Sequence, residues 1–130
     1  MKSKATFLVA LVLVPLSFLQ AIETERSLDF VNDVSPVLTK ESCNTGACHA
    51  KAGNGQNGFK LSVLGFEPQE DYEHIVKEGR GRRVFAAAPE ESLLLLKATN
   101  LVPHGGGKKL DTNSENYRVE FLSEIGRAHV

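Results

Sequence analysis

Cys43-Asn44-Thr45-Gly46-Ala47-Cys48-His49 is the stretch on which the reading of this chain turns. Two cysteines followed at once by a histidine usually signal covalent haem attachment, in which two thiols add across the porphyrin vinyl groups. The adjoining histidine then lies under the iron as proximal ligand. The usual motif has two residues between the cysteines, whereas here there are four. Asn44, Thr45, Gly46 and Ala47 are small and turn-prone, so the longer loop can bulge while both sulfurs still reach the vinyls. Two other chemistries suit the same residues. Exported proteins often pair their cysteines, and a Cys43–Cys48 disulfide would close a very short loop. A zinc site would take Cys43, Cys48, His49 and one remote histidine. The adjacent histidine favours haem, because a disulfide has no need of it.

A haem iron ligated by His49 takes its sixth ligand most often from Met or His. The only methionine is Met1, at the head of the apolar leader described below, which excludes a Met ligand. His74 lies in Asp71-Tyr72-Glu73-His74, within a short amphipathic segment where a histidine is usually a surface residue. His104 lies in Pro103-His104-Gly105-Gly106-Gly107, and glycines let a backbone approach a cofactor face closely. His104 is therefore the expected distal ligand, with His49 and His104 as the two axial ligands of the iron. Arg80, Arg82 and Arg83 in one loop, and Lys108 and Lys109 in another, are candidates to pair with the haem propionates; a solvated face or a patch for an acidic partner is the competing role. Gly53 to Lys60 superficially resembles a phosphate-binding loop, but Phe59 intervenes between the second glycine and Lys60, and Leu61 instead of Ser or Thr follows that lysine.

The flanks set the context. Lys2 and Lys4 precede a largely apolar run from Ala5 to Leu19, with Thr6 and Ser17 its polar residues, and the composition turns at Ala21 to Glu23, Thr24, Glu25 and Arg26. This pattern fits a signal peptide over residues 1–21 and predicts export to the periplasm or cell surface. The run is short for a membrane span, which needs about 20 residues, and Pro15 interrupts it. At the other end, residues 124–130 (Glu124-Ile125-Gly126-Arg127-Ala128-His129-Val130) resemble a translated library adapter, so His129 is given no role. Residues 22–123 then form the single expected domain, with 12 Lys and Arg against 15 Asp and Glu, a net charge of −3. That balance argues against a nucleic-acid surface. A domain this small has a marginal apolar core, and a covalent cofactor would help fill it.

Periodicity predicts a mostly α fold with long loops. Leu28–Lys40 reads as a first helix with a kink or restart at Pro36. Ser42–Gly58 reads as loop, with Asn54-Gly55 and Asn57-Gly58 as turn signals. Phe59, Leu61 and Val63 alternate with polar residues, which fits a short extended stretch. Pro68 opens a helix reaching Glu78, and Arg80–Ala88 is a linker. Pro89 to Ala98 reads as a leucine-rich helix capped by Asn100, and Ser114 caps a last helix bearing Tyr117, Phe121 and Leu122.

Taken together, these residues resemble the cytochrome-c-like domains near the start of large exported proteins of planctomycete-type bacteria. The resemblance rests on Phe30…Val34-Ser35-Pro36-Val37-Leu38, the Cys43–His49 segment, Gly58-Phe59-Lys60-Leu61-Ser62, Gly65-Phe66, Gly81-Arg82-Arg83, Pro89–Ala98 and Pro103–Gly107, and covers most of Leu28 to Leu122. In relatives with the usual cysteine spacing, a Met-Pro-Pro segment stands where Pro103-His104-Gly105 stands here, which supports His104 as distal ligand. The resemblance implies a small cytochrome-c-like helical domain holding one covalent haem c. It implies single-electron transfer with redox protein partners, no reaction catalysed by the domain itself, and further domains downstream in a longer chain. A haem-free structural or binding module with a Cys43–Cys48 disulfide is the alternative.

Overall fold

The computed structural model describes residues 27–122. The expected leader (1–21) and tail (124–130) lie outside the described residues. Among the described residues the protein is mostly helical and has no strand. Four short helices carry it: α1 (Ser35–Lys40), α2 (Pro68–Val76), α3 (Leu93–Ala98) and α4 (Glu115–Leu122). None is long and apolar enough to cross a membrane. Single helical turns and long loops connect them.

The expected first helix is realised in two pieces, for a reason that lies in Pro36. Proline has no N–H to donate back to residue 32, so a continuous α-helix would lose a bond there. The chain instead opens with one wide π-type turn, Phe30–Val34, in which the Ser35 N–H reaches the Phe30 carbonyl five residues back. Pro36 then falls in the first turn of α1, where no N–H is required. Asp29 caps this entry, accepting from the Asn32 N–H at 2.7 Å, while its own N–H donates to the Asp33 carboxylate at 2.8 Å.

Ser92 breaks the other long helix expected. Residues Pro89–Glu91 form one tight turn, Ser92 is extended (φ −61°, ψ 131°), and α3 begins only at Leu93. The Ser92 hydroxyl is fully buried and accepts the Phe85 N–H at 2.8 Å. That bond ties the preceding linker to the helix start and takes the side chain away from capping. At the far end Asn100 adopts φ 62°, a left-handed stop, with its N–H on the Lys97 carbonyl. Ser114 caps α4 as expected, its hydroxyl accepting the Tyr117 N–H at 3.1 Å.

Asn57-Gly58 makes a tight reversal, both residues having positive φ (50° and 79°), which suits a type I′ turn. Gln56 and Phe59 exchange backbone bonds across it at 3.1 and 2.9 Å. Leu61 then pairs with the segment after the second cysteine: its N–H donates to the His49 carbonyl and its carbonyl accepts from the Lys51 N–H, both at 2.7 Å. The extended stretch thus exists as isolated bridges and not as a sheet.

Two buried clusters form the core. Phe30, Val34, Leu38, Leu61 and Ile75 make one, and Val37, Leu95 and Leu110 the other. Neighbouring α1 residues, Val37 and Leu38, feed different clusters. Asp71, only 1% exposed, fastens α2 to the first cluster: its carboxylate accepts the Ser62 N–H at 2.5 Å and the Ser62 hydroxyl at 2.6 Å. The same hydroxyl accepts the Glu67 N–H at 2.9 Å. Ser62→Ala leaves a buried carboxylate oxygen and a backbone N–H short of partners, so a loss of about 1–3 kcal/mol is expected. Urea unfolding checks this: the midpoint falls with the slope unchanged.

Candidate functional site

The first wall of the site starts where α1 stops. Ser42 turns left-handed (φ 62°), its N–H bonds the Thr39 carbonyl at 3.0 Å, and the Cys43 N–H bonds the Leu38 carbonyl at 2.8 Å. This is a Schellman stop built on serine in the place glycine usually takes. It seats Cys43 against the first core cluster. Beyond it the four spacer residues bulge. The Cys48 N–H closes a turn onto the Thr45 carbonyl at 3.0 Å, and the His49 N–H returns to the Cys43 carbonyl at 2.9 Å. The wider spacing is absorbed by this loop, and Cys43, Cys48 and His49 line one cavity. Both cysteines are half-buried thiols, not joined in a disulfide.

The cavity has a volume of about 470 Å³ and a mainly apolar lining that includes Val37, Leu38, Leu93, Leu94, Leu95 and Leu110. It lies between the two core clusters, since members of both contribute to its walls. Its size is within the roughly 300–1,000 Å³ typical of small-molecule and cofactor sites.

His49 faces His104 across this space. Their ring planes are parallel within 5° and their centroids are 6.2 Å apart. Each ring is held through Nδ1, His49 by the Phe59 carbonyl at 3.3 Å and His104 by the Gly107 carbonyl at 2.8 Å. A carbonyl can only accept, so both bonds require the Nδ1–H tautomer, which leaves each Nε2 lone pair available to a metal. Bonding the second ring nitrogen to a carbonyl is the usual support of a metal-binding histidine.

The loop carrying His104 is pinned to α3 at both ends. Val102 N–H bonds the Leu96 carbonyl at 3.2 Å, and Lys109 and Leu110 N–H both bond the Ala98 carbonyl, at 2.7 and 2.9 Å. Gly106 packs closely on the histidine: a Cβ there would sit 3.2 Å from Cε1 and 3.4 Å from Nε2 of His104, so any side chain would press on that ring. His74 is elsewhere, half-buried, with Nδ1 on the Lys60 carbonyl at 2.6 Å and Nε2 3.6 Å from Glu70. It does not line the cavity.

Of the five cations expected at the site, Arg82, Arg83 and Lys109 line the cavity and Arg80 and Lys108 do not. Lys108 pairs with Asp111 at 2.8 Å. Lys97 of α3 joins the lining, as do Gln56 and Phe59. Sequence reasoning missed Phe59, whose part is played by a carbonyl and a ring face: its ring centroid lies 4.6 Å from that of His49. Among the described residues no group of three or more His, Cys, Asp and Glu side chains is placed to hold a metal ion.

No family model, no curated protein and no solved structure matches the chain.

Burial lowers the His49 pKa from its ordinary 6.5; the Phe59 carbonyl bond opposes this, and the nearby charges of His104 and Arg83 reinforce it. The folded chain therefore disfavours the imidazolium. The penalty is absent above pH 6.5 and grows as pH falls through 6.5 toward the lowered native value. The cofactor-free chain is expected to lose stability over that window, and His49→Gln to lose less of it. Urea midpoints of both proteins on either side of pH 6.5 measure the difference.

Proposed function

We propose that this chain is an exported electron-transfer module for one haem c, which Cys43 and Cys48 would attach and His49 and His104 would ligate. The observation that carries the reading is the pair of parallel imidazoles, 6.2 Å apart, in an apolar cavity that both thiols also line. Two imidazoles without a third protein donor leave most positions around a metal to another ligand. A flat tetrapyrrole, with four nitrogens in one plane, answers that need and suits an apolar cavity between two rings. Bound there, the haem supplies a reversible one-electron couple at iron.

The chain's own residues do the rest. The Cys43 and Cys48 thiols anchor the group to the loop that also carries His49. The Phe59 and Gly107 carbonyls hold the two rings through Nδ1 and would make each Nε2 a better donor to a metal. Leu93, Leu94, Leu95 and Leu110 exclude water from the apolar face. Arg82, Lys97 and Lys109 offer cationic partners to propionate carboxylates. Two histidines set a lower potential than a Met/His pair, since methionine is the ligand that raises it. The module is a carrier and not an enzyme, passing electrons among redox proteins or to downstream parts of its own longer chain. The resemblance to planctomycete cytochrome-c-like domains supports the same assignment.

Expression with cytochrome c maturation machinery, followed by a reduced-minus-oxidised visible spectrum, tests this. A sharp reduced α band is expected, with His104→Ala losing the six-coordinate low-spin spectrum while keeping its colour after denaturation. A colourless wild-type protein would contradict the reading and leave the haem-free structural module. An unchanged spectrum in His104→Ala would remove His104 as the distal ligand.

A further inference from the structure

We infer that Arg83 is a positioning residue for His49: it fixes the Gly58–Phe59 peptide and the Phe59 ring that together hold the imidazole. The inference rests on the proposed reading of the cavity and names the group that sets the geometry of its proximal side.

Arg83 is only 6% exposed, and the next residue, Val84, packs against the first core cluster. Burying a guanidinium is costly unless its donors are met, and here they are met by one neighbourhood. Nη1 donates to the His74 carbonyl at 2.6 Å and pairs with the Glu78 carboxylate at 3.0 Å. Nη2 donates to the Gly58 carbonyl at 3.3 Å, and Cζ lies 4.4 Å from the centroid of the Phe59 ring. Phe59 is the residue whose carbonyl accepts His49 Nδ1–H and whose ring packs on the imidazole. The guanidinium thus holds the peptide before that carbonyl and the face of that ring. Three of its five N–H donors are committed to protein acceptors, which ties the side chain to this neighbourhood before any propionate is considered. Arg82 and Lys109 keep the propionate role open to themselves.

The arrangement uses features only arginine combines, a planar cation to lie on an aromatic face and a fork to reach two carbonyls. Lysine supplies the charge without the plane or the fork. Charge and positioning can therefore be separated. A buried cation beside an iron ligand also disfavours the more positive, oxidised iron, so its loss should shift the couple downward.

The test has two readouts on wild type, Arg83→Gln and Arg83→Lys. In the haem-free protein at neutral pH, nitrogen NMR of the His49 ring reports its tautomer, and proton contacts report its packing on Phe59. Wild type is expected to hold the Nδ1–H form against Phe59, and both variants to lose that preference and the ring contact. Retention of both features in the variants would overturn the proposal, whatever the haem result. Should Arg83→Gln fail to fold, Arg83→Lys, which keeps the buried charge, decides alone. In the haem-loaded protein, Arg83→Gln is expected to lower the reduced-to-oxidised ratio at fixed potential about tenfold, equivalent to about 59 mV for one electron, and Arg83→Lys to restore most of it. An unchanged potential in Arg83→Gln would remove the electrostatic part. Failure of wild type to take up haem would refute the electron-transfer reading while the first readout still decides the role of Arg83.

Discussion

A single backbone hydrogen bond, from the His49 N–H to the Cys43 carbonyl at 2.9 Å, closes the loop that brings two thiols and an imidazole to one cavity. Four residues between two cysteines would ordinarily carry the second thiol and the histidine away from the first. The closure sends the extra length outward as a turn over Thr45–Cys48 and returns His49 beside Cys43. The Schellman stop at Ser42 fixes the other end by seating Cys43 on the Leu38 carbonyl. With both ends of the loop held by backbone, the intervening side chains need only be small. Two thiols and an imidazole therefore share one cavity despite the spacing.

The opposite wall is built on different principles. His104 stands on a glycine-rich loop that would be too free to define a ring orientation alone, but three backbone bonds to α3 and the Gly107 carbonyl restrain it. The two histidines are held alike, each by a backbone carbonyl on Nδ1, and side-chain carboxylates play no part. Carbonyl partners stay neutral at every pH, so ring orientation does not hang on a second titrating group. The cavity between the rings divides the core: Val37, Leu95 and Leu110 lie in one cluster and Leu38 in the other, and all four side chains line it. The helix α1 thus supplies residues to both clusters and leads, through the stop at Ser42, to the first cysteine.

Much of this was legible in the sequence, for identifiable reasons. Elimination pointed to His49 and His104 together, because the only methionine is Met1 and His74 sits in an amphipathic helix, and these two rings do line one cavity. The helical class, the stop at Asn100, the cap at Ser114 and the restart at Pro36 all rest on local chemistry that a single side chain announces. What was not legible depends on partners distant in the chain. Ser92 reads as mid-helix until its hydroxyl is seen to take the Phe85 N–H. Arg83 reads as a surface cation until it is seen to span His74, Glu78, Gly58 and Phe59. Phe59 gives no signal for accepting from His49, since any residue would offer the same carbonyl. The left-handed Ser42 is equally silent, as serine rarely marks that conformation.

The central claim is a covalent bond between this chain and a haem at Cys43 and Cys48, and intact mass under denaturing conditions tests it most directly. After expression with the maturation machinery, the account predicts a chain heavier than its polypeptide mass by one haem, with the added mass confined to the peptide spanning Cys43 to His49. A chain without added mass and lighter than its dithiol form by two hydrogens would contradict it, because the two sulfurs would then be bonded to each other.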